Sequence, residues 1–363
     1  MTGDEGRAGI ARAPRAGEER SASGIGRRPG RRLLAALALA GALLLGACGT
    51  TEAPTADPGG AVPAGEQITL TDARGTEITL DGPATRTVGL EWNVVEHLVS
   101  LGVMPVGVAD VEGYTNWVQA APLEGEVTDV GIRGEPSIDS IAALRPDLVL
   151  ATTDLPPGAV SQIEAFAPVL VVRPADAADP IGRMRENLEL VATATATGEQ
   201  AERLLADFDA KLDDGRAAIA EAGLAGRPIA FADGFVDGGQ LSIRPFTEGS
   251  LVGGVNTELG LVDAWPMEGD PDYGLASTDV EGLTNLPADT LFVYYANDAA
   301  YGGTDPFVQA LEGNAVWQSL PFVRGGDVTR LPDGIWMFGG PSSMRQYVDA
   351  LVAALTGGPQ PAG

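Results

Sequence analysis

Aromatic and arginine side chains fall at the ends of hydrophobic runs in this sequence, where they would line a recess rather than carry out a reaction. Trp92 follows a first apolar run (87–91), Tyr114 and Trp117 follow a second (105–110), and Arg133 lies in a loop before a helix-like segment. Later, Arg244 follows a short run, Trp265 and Tyr273 share a loop, and Trp336 precedes the last amphipathic stretch. A guanidinium is a planar, permanently charged multiple donor suited to ligand oxygens, and indoles supply apolar walls around it. Groups for turnover are scarce. The one histidine, His97, and the one cysteine, Cys48, argue against a Ser-His-Asp triad, a thiol protease and a zinc site of His and Cys ligands. His97, within VVEHLVSLG, reads as a partly exposed helix residue. No Gly-x-Ser-x-Gly elbow, Gly-x-x-x-x-Gly-Lys loop or His-Glu-x-x-His pair occurs. The pattern is that of a binding protein and not an enzyme. Trp317, inside AVWQSLPFV, is assigned to packing.

The elements that must hold these residues come in two copies. Asp139-x-Ile141-x-x-Leu144-x-x-Asp147 is matched by Glu281-x-Leu283-x-x-Leu286-x-x-Asp289, each leading into a hydrophobic run, LVLAT (148–152) or LFVYY (291–295). The offset is the same at both ends, 281 − 139 = 142 and 289 − 147 = 142. Apolar residues at three-residue steps that turn into a continuous run predict a short amphipathic helix feeding a buried strand. Two copies in register predict two similar α/β lobes with mostly parallel sheets and a ligand cleft between them.

Between the copies the pattern turns helical, with runs over 180–196 and 198–223. The second is apolar at Ala201, Leu204, Leu205, Phe208, Leu212 and Ile219. At 1.5 Å per residue it spans roughly 35 Å, enough to pass from one lobe to the other. The predicted organisation is a leader (1–47), a flexible tether (48–66), an N-terminal lobe (67–197) opening on a hairpin at 68–80, the inter-lobe helix (198–223) and a C-terminal lobe (224–358). The tether is rich in Pro, Gly, Thr and acids and has almost no bulky apolar residue.

The leader carries an arginine-rich flank, then fifteen apolar residues from Leu33 to Ala47, then Cys48. That is short of the roughly 20 residues of a membrane-spanning helix and fits an export signal. Leu45-Gly46-Ala47-Cys48 resembles a bacterial lipobox, so Cys48 is the expected lipidation site and the mature protein is expected on the outer face of the cell membrane. Arg31-Arg32 also permits twin-arginine export. Net charge is −27, and removing a leader of eight arginines and four acids leaves −27 − 4 = −31. Such a body repels nucleic acid and anionic lipid.

The strings TVGLEWNVVEHLVSLGVMPVGVADVEGYTNWV and VTDVGIRGEPSIDSIAALRPDLVLAT, with VWQSLPFVRGGDVTRLP and Trp336 further on, resemble the substrate-binding proteins of ferric-siderophore ABC importers, the ferric-hydroxamate type first and the ferric-dicitrate type next. The resemblance covers roughly residues 86 to 355. It implies a two-lobed fold joined by one long helix, capture of an iron(III) chelate by a monomer, and delivery to a permease dimer with its ATPase. Arg133 then matches the arginine that contacts chelate oxygens, while Trp92, Trp117, Trp265 and Trp336 supply walls. Asp139 and Glu281 match acids that dock on permease arginines, although both would also suit a helix N-terminus. Iron is held by the siderophore, so no protein cofactor or metal ligand is expected. One departure stands out: where the hydroxamate type has an aromatic, this chain has Asp154-Leu155-Pro156, and an acid there disfavours an anionic ligand if it faces the cleft. Ferric dicitrate, haem or a corrinoid is the alternative cargo. An extracytoplasmic enzyme or iron reductase would need an acid/base pair or redox cofactor that the sequence does not display.

Overall fold

The computed structural model of the chain describes residues 67–237, 240–296 and 305–358. The leader, Cys48 and the tether therefore lie outside the described residues. The first lobe opens on an antiparallel hairpin, β1 (Ile68–Thr71) and β2 (Glu77–Leu80), whose turn is closed by the Asp72 carboxylate accepting from the backbone of Arg74 and Thr76. Strands and helices then alternate as β3 (Thr87–Gly89), α1 (Trp92–Ser100), β4 (Gly107–Val108), α2 (Val111–Trp117) and β5 (Thr128–Asp129). A small hairpin of β6 (Gly131–Ile132) and β7 (Glu135–Pro136) follows, then α3 (Ile138–Leu144), β8 (Leu148–Thr152), α4 (Pro157–Glu164) and β9 (Val169–Val172). The main sheet has the order β5-β4-β3-β8-β9, with every pairing parallel.

Both faces of that sheet are covered, which is why β8 and β9 read as unbroken apolar runs. Leu148, Leu150, Leu170 and Val172 pack on one side with Val94, Leu98 and Leu188. Val149, Ala151, Val169 and Val171 pack on the other with Ile141, Val160 and Ile163.

Helices α5 (Pro180–Thr195) and α6 (Gly198–Glu221) lead to the second lobe. The 24 residues of α6 extend about 36 Å, and its apolar stripe changes partners along the way. Ala201 and Leu204 belong to the first lobe's core, whereas Phe208, Leu212 and Ile219 belong to the second's. Gly215 sits in mid-helix because a Cβ there would meet Leu259 and Val348 side chains at 2.7 and 2.8 Å; close approach outweighs its poor helix propensity.

The second lobe comprises β10 (Pro228–Asp237), β11 (Gln240–Phe246), α7 (Leu251–Glu258), β12 (Val262–Asp263), a 3-10 turn (Gly282–Asn285) and β13 (Leu291–Tyr294). It closes with α8 (Pro306–Leu311), α9 (Ala315–Ser319), α10 (Pro321–Gly325), β14 (Val328–Arg330) and α11 (Pro341–Thr356). Its sheet order is β11-β10-β13-β14, with β12 beside the start of β10 and only β11 antiparallel.

Three expectations are corrected. The helix expected after Glu281 is a single 3-10 turn. Gly282, Thr284 and Asn285 are weak helix formers, Thr284 Oγ1 and Asn285 Nδ2 bond to backbone oxygens of Glu281 and Gly282, and Pro287 follows closely. The first copy instead has a Ser137 cap and two alanines, and it forms α3. Arg244 lies within β11 rather than after a strand, directly opposite Asp233 of β10. His97 is not partly exposed but buried, at 1%. Its face of α1 is covered by the second lobe, where a Cβ on Gly340 would meet the imidazole at 2.8 Å. Burial lowers its pKa to about 4, so it is neutral at pH 7.

Candidate functional site

The two lobes meet at the ends of their central strands. β3 runs out at Gly89, and Glu91 caps α1 by accepting from the Trp92 backbone N–H at 2.9 Å. This makes Trp92 the first residue of α1, with its ring held by a 3.2 Å bond from Nε1 to the Ala109 carbonyl. Arg133 sits in the turn of the β6–β7 hairpin. Its Nη1 reaches Glu91 Oε1 at 2.7 Å, and its guanidinium lies 3.7 Å above the Trp92 ring centre. From the other lobe Trp336 comes edge-on to Trp92 at 4.9 Å, to Trp117 at 6.0 Å, and lies 5.5 Å from the same guanidinium. One arginine is thus stacked, salt-bridged and only part-covered, among indoles of both lobes. Cation-π contact of this kind contributes about 0.5–1 kcal/mol where solvent reaches it.

The aromatic wall continues into the second lobe. Phe338 packs against Trp336 at 5.1 Å and against Tyr273 at 5.7 Å. Arg244 lies 5.5 Å from the Phe338 ring and pairs with Asp233, its Nε at 2.8 Å from one carboxylate oxygen and its Nη2 on the other. Burial raises the Asp233 carboxyl above its usual range, against the pull of Arg244. The Tyr273 hydroxyl donates to Asp154 of the first lobe. Burial, then that carboxylate, holds the Tyr273 phenol un-ionised well above its ordinary value.

Further contacts bind the lobes around this wall. Arg173 reaches Asp272 at 3.1 Å, and the Gln119 backbone N–H donates to Gly334 at 3.0 Å. Both oxygens of buried Glu96 on α1 accept from Ser343 at the start of α11, one from its backbone at 2.8 Å and one from its hydroxyl at 2.7 Å. Behind Tyr273 and Phe338 lies a cavity of about 20 Å³, lined among others by Asn93, His97 and Asn187, room for a single water.

The structure brings together Trp92, Trp117, Arg133, Trp336, Tyr273 and Arg244, with Trp92 and Trp336 themselves buried, at 3% and 8%, by closing on each other across the lobes. It takes Tyr114 and Trp265 out of the lining. Tyr114 is fully buried behind Trp92, its hydroxyl spent on the Ala121 carbonyl at 2.7 Å. Trp265 is buried in the second lobe's own core with Phe292, its Nε1 bonded to the Phe231 carbonyl at 3.0 Å. Trp317 packs on that core too. Asp139 and Glu281 are both exposed, one on the first turn of α3 and the other just before the 3-10 turn. Sequence reasoning missed the two acids that seat the arginines. Their spacing was a usable signal, because 233 − 91 = 142, the offset already found for the repeat. Among the described residues, no group of three His, Cys, Asp or Glu side chains could hold a metal ion, and no helix is long and apolar enough to cross a membrane.

Residues 88–334 match the family model described as periplasmic binding protein. The chain belongs to that family. As a periplasmic binding protein it is 28% identical over 274 residues to the iron(3+)-hydroxamate-binding protein FhuD of Escherichia coli, covering 75% of this chain and 87% of that protein. It is 23% identical over 315 residues to the probable siderophore-binding lipoprotein YfiY of Bacillus subtilis, covering 84% and 92%. In three dimensions it resembles the siderophore-binding protein FhuD of Vibrio cholerae, solved with Fe3+-Desferal, at a TM-score of 0.66 and 24% identity over 75% of this chain and 98% of that one. The binding-protein family agrees with the missing catalytic groups, and the likeness in fold agrees with two α/β lobes.

Proposed function

We propose that this binding protein captures a ferric siderophore, of hydroxamate type, outside the cytoplasm and delivers it to an ABC permease dimer with its ATPase. The observation that carries the reading is Arg133, stacked on Trp92 of its own lobe and facing Trp336 of the other. A guanidinium there donates to chelate oxygens while the indoles cover the chelate's apolar body. Its orientation is fixed by Glu91, so little freedom is lost when the ligand arrives. The siderophore supplies all ligands to iron, and the protein needs none. The similarity to an iron(3+)-hydroxamate-binding protein supports the cargo class.

The exposed acids Asp139 and Glu281, one per lobe at matching repeat positions, support delivery, since they would meet cationic side chains of a two-fold permease. Cys48 is the site of the lipid anchor that would keep a monomeric receptor at the membrane. The test is tryptophan quenching with ferric trihydroxamate, ferric dicitrate, haem and a corrinoid. Saturable quenching by the trihydroxamate is expected. Quenching by haem or a corrinoid alone, or by none of the four, overturns the reading.

A further inference from the structure

The charges of the cleft select within the class of ferric chelates, an inference that rests on the reading above. Each guanidinium already has a carboxylate of its own: Arg133 has Glu91 at 2.7 Å, and Arg244 has Asp233 on two atoms. The two acids stand at the repeat's offset, 233 − 91 = 142, although Glu91 caps a helix and Asp233 lies within a strand opposite its arginine. Asp154 is the surplus. Among the described residues its carboxylate makes no salt bridge and accepts only from the Tyr273 hydroxyl of the opposite lobe. Through that hydroxyl the surplus carboxylate joins the wall around Arg133: Tyr273 packs on Phe338 at 5.7 Å, Phe338 on Trp336 at 5.1 Å, and Trp336 lies 5.5 Å from the Arg133 guanidinium.

We propose that this periplasmic binding protein prefers ferric chelates of positive charge, and that Asp154 is the specificity residue that receives an ammonium carried by the chelate. A chelate with several negative charges would meet two arginines already neutralised and one further carboxylate, and would have to break an ion pair to gain a donor. A chelate whose iron centre is neutral keeps both pairs. Its neutral oxygens take the remaining guanidinium N–H donors, and an ammonium tail meets Asp154 once Tyr273 turns its hydroxyl aside. An exposed pairing of this kind changes affinity by about fivefold.

The probes are the ferric complex of a linear trihydroxamate with a free terminal amine, the same complex with that amine acetylated, and a ferric tris-catecholate. Each is titrated calorimetrically into the wild type and Asp154→Asn. The expected order is free amine, then acetylated, then tris-catecholate, with the first two about fivefold apart in wild type and converging in Asp154→Asn. Because Asp154 is exposed, the variant should keep the wild-type melting temperature, and its affinity for the acetylated complex shows that the cleft is intact. Equal affinities for the two trihydroxamates in wild type, or a preference for the tris-catecholate, overturns the selection by charge while leaving siderophore capture standing. Failure of all three to bind overturns both.

Discussion

The contact between Glu96 and Ser343 makes the joining of the lobes measurable. Ser343→Ala deletes the 2.7 Å hydroxyl bond and leaves the backbone bond at 2.8 Å. A hydrogen bond to the ionised, buried carboxylate contributes about 1.5–3 kcal/mol and one to the neutral carboxyl about 1 kcal/mol, so a loss of about 2 kcal/mol is expected where Glu96 is ionised. Spread over roughly 290 residues, an unfolding entropy near 2.1 cal/mol/K per residue converts this into a fall in Tm of about 3 °C. The pH dependence adds a second check. Burial raises the Glu96 carboxyl above its ordinary 4.5, more than the Ser343 and Gly340 donors lower it. Its proton is therefore held more tightly in the folded state. The stability this contributes is full below pH 4.5 and is lost as pH rises through the elevated folded value. Glu96→Gln is neutral at every pH, so wild-type stability minus that of Glu96→Gln should fall as pH rises through this window. The Ser343→Ala deficit should likewise shrink to about 1 kcal/mol in acid, where the acceptor is neutral. Thermal melts from pH 4 to 8 test both. A Ser343→Ala Tm unchanged at pH 7, or parallel pH profiles for wild type and Glu96→Gln, would refute the reasoning.

The remaining predictions concern other parts of the molecule. Trp265→Phe should leave chelate affinity within about threefold of wild type while lowering stability by about 1 kcal/mol, the net value of its lost bond to Phe231; a large affinity loss measured by calorimetry would return Trp265 to the cleft. Phe208→Ala should lower stability by about 3–5 kcal/mol, read by urea unfolding, because this fully buried ring fixes α6 to the second lobe's core. Asp139→Ala combined with Glu281→Ala should leave chelate affinity unchanged and reduce chelate uptake into cells.

Much of the fold was legible because its dominant signals are local. Parallel strands buried on both faces appear as unbroken runs, and the 142-residue offset marks the duplication without any knowledge of contacts. The failures are of another kind. The segment after Glu281 repeats the apolar spacing of α3 but not its helix-forming residues, so pattern and propensity disagreed and propensity decided. For the site, an aromatic at a strand end can turn toward the cleft or into its own lobe, and sequence does not say which. Trp92 and Trp336 meet each other across the lobes, whereas Trp265 packs within the second lobe's own core and Tyr114 lies behind Trp92. His97 was misplaced for a related reason, since what covers it is Gly340, far along the chain. Glu91 and Asp233 were overlooked because one looks like an ordinary helix cap and the other like an ordinary strand residue until the arginines are seen.

The clasp around Arg133 is tested most directly by calorimetric titration of a ferric trihydroxamate into wild type and Arg133→Ala. The Trp92, Trp117 and Trp336 contacts remain in the variant, and the lost donors to chelate oxygens are each worth about 1.5–3 kcal/mol. The expected result is a saturable heat in wild type and a Kd about tenfold to a hundredfold weaker in the variant. An unchanged Kd in a folded Arg133→Ala protein would contradict it.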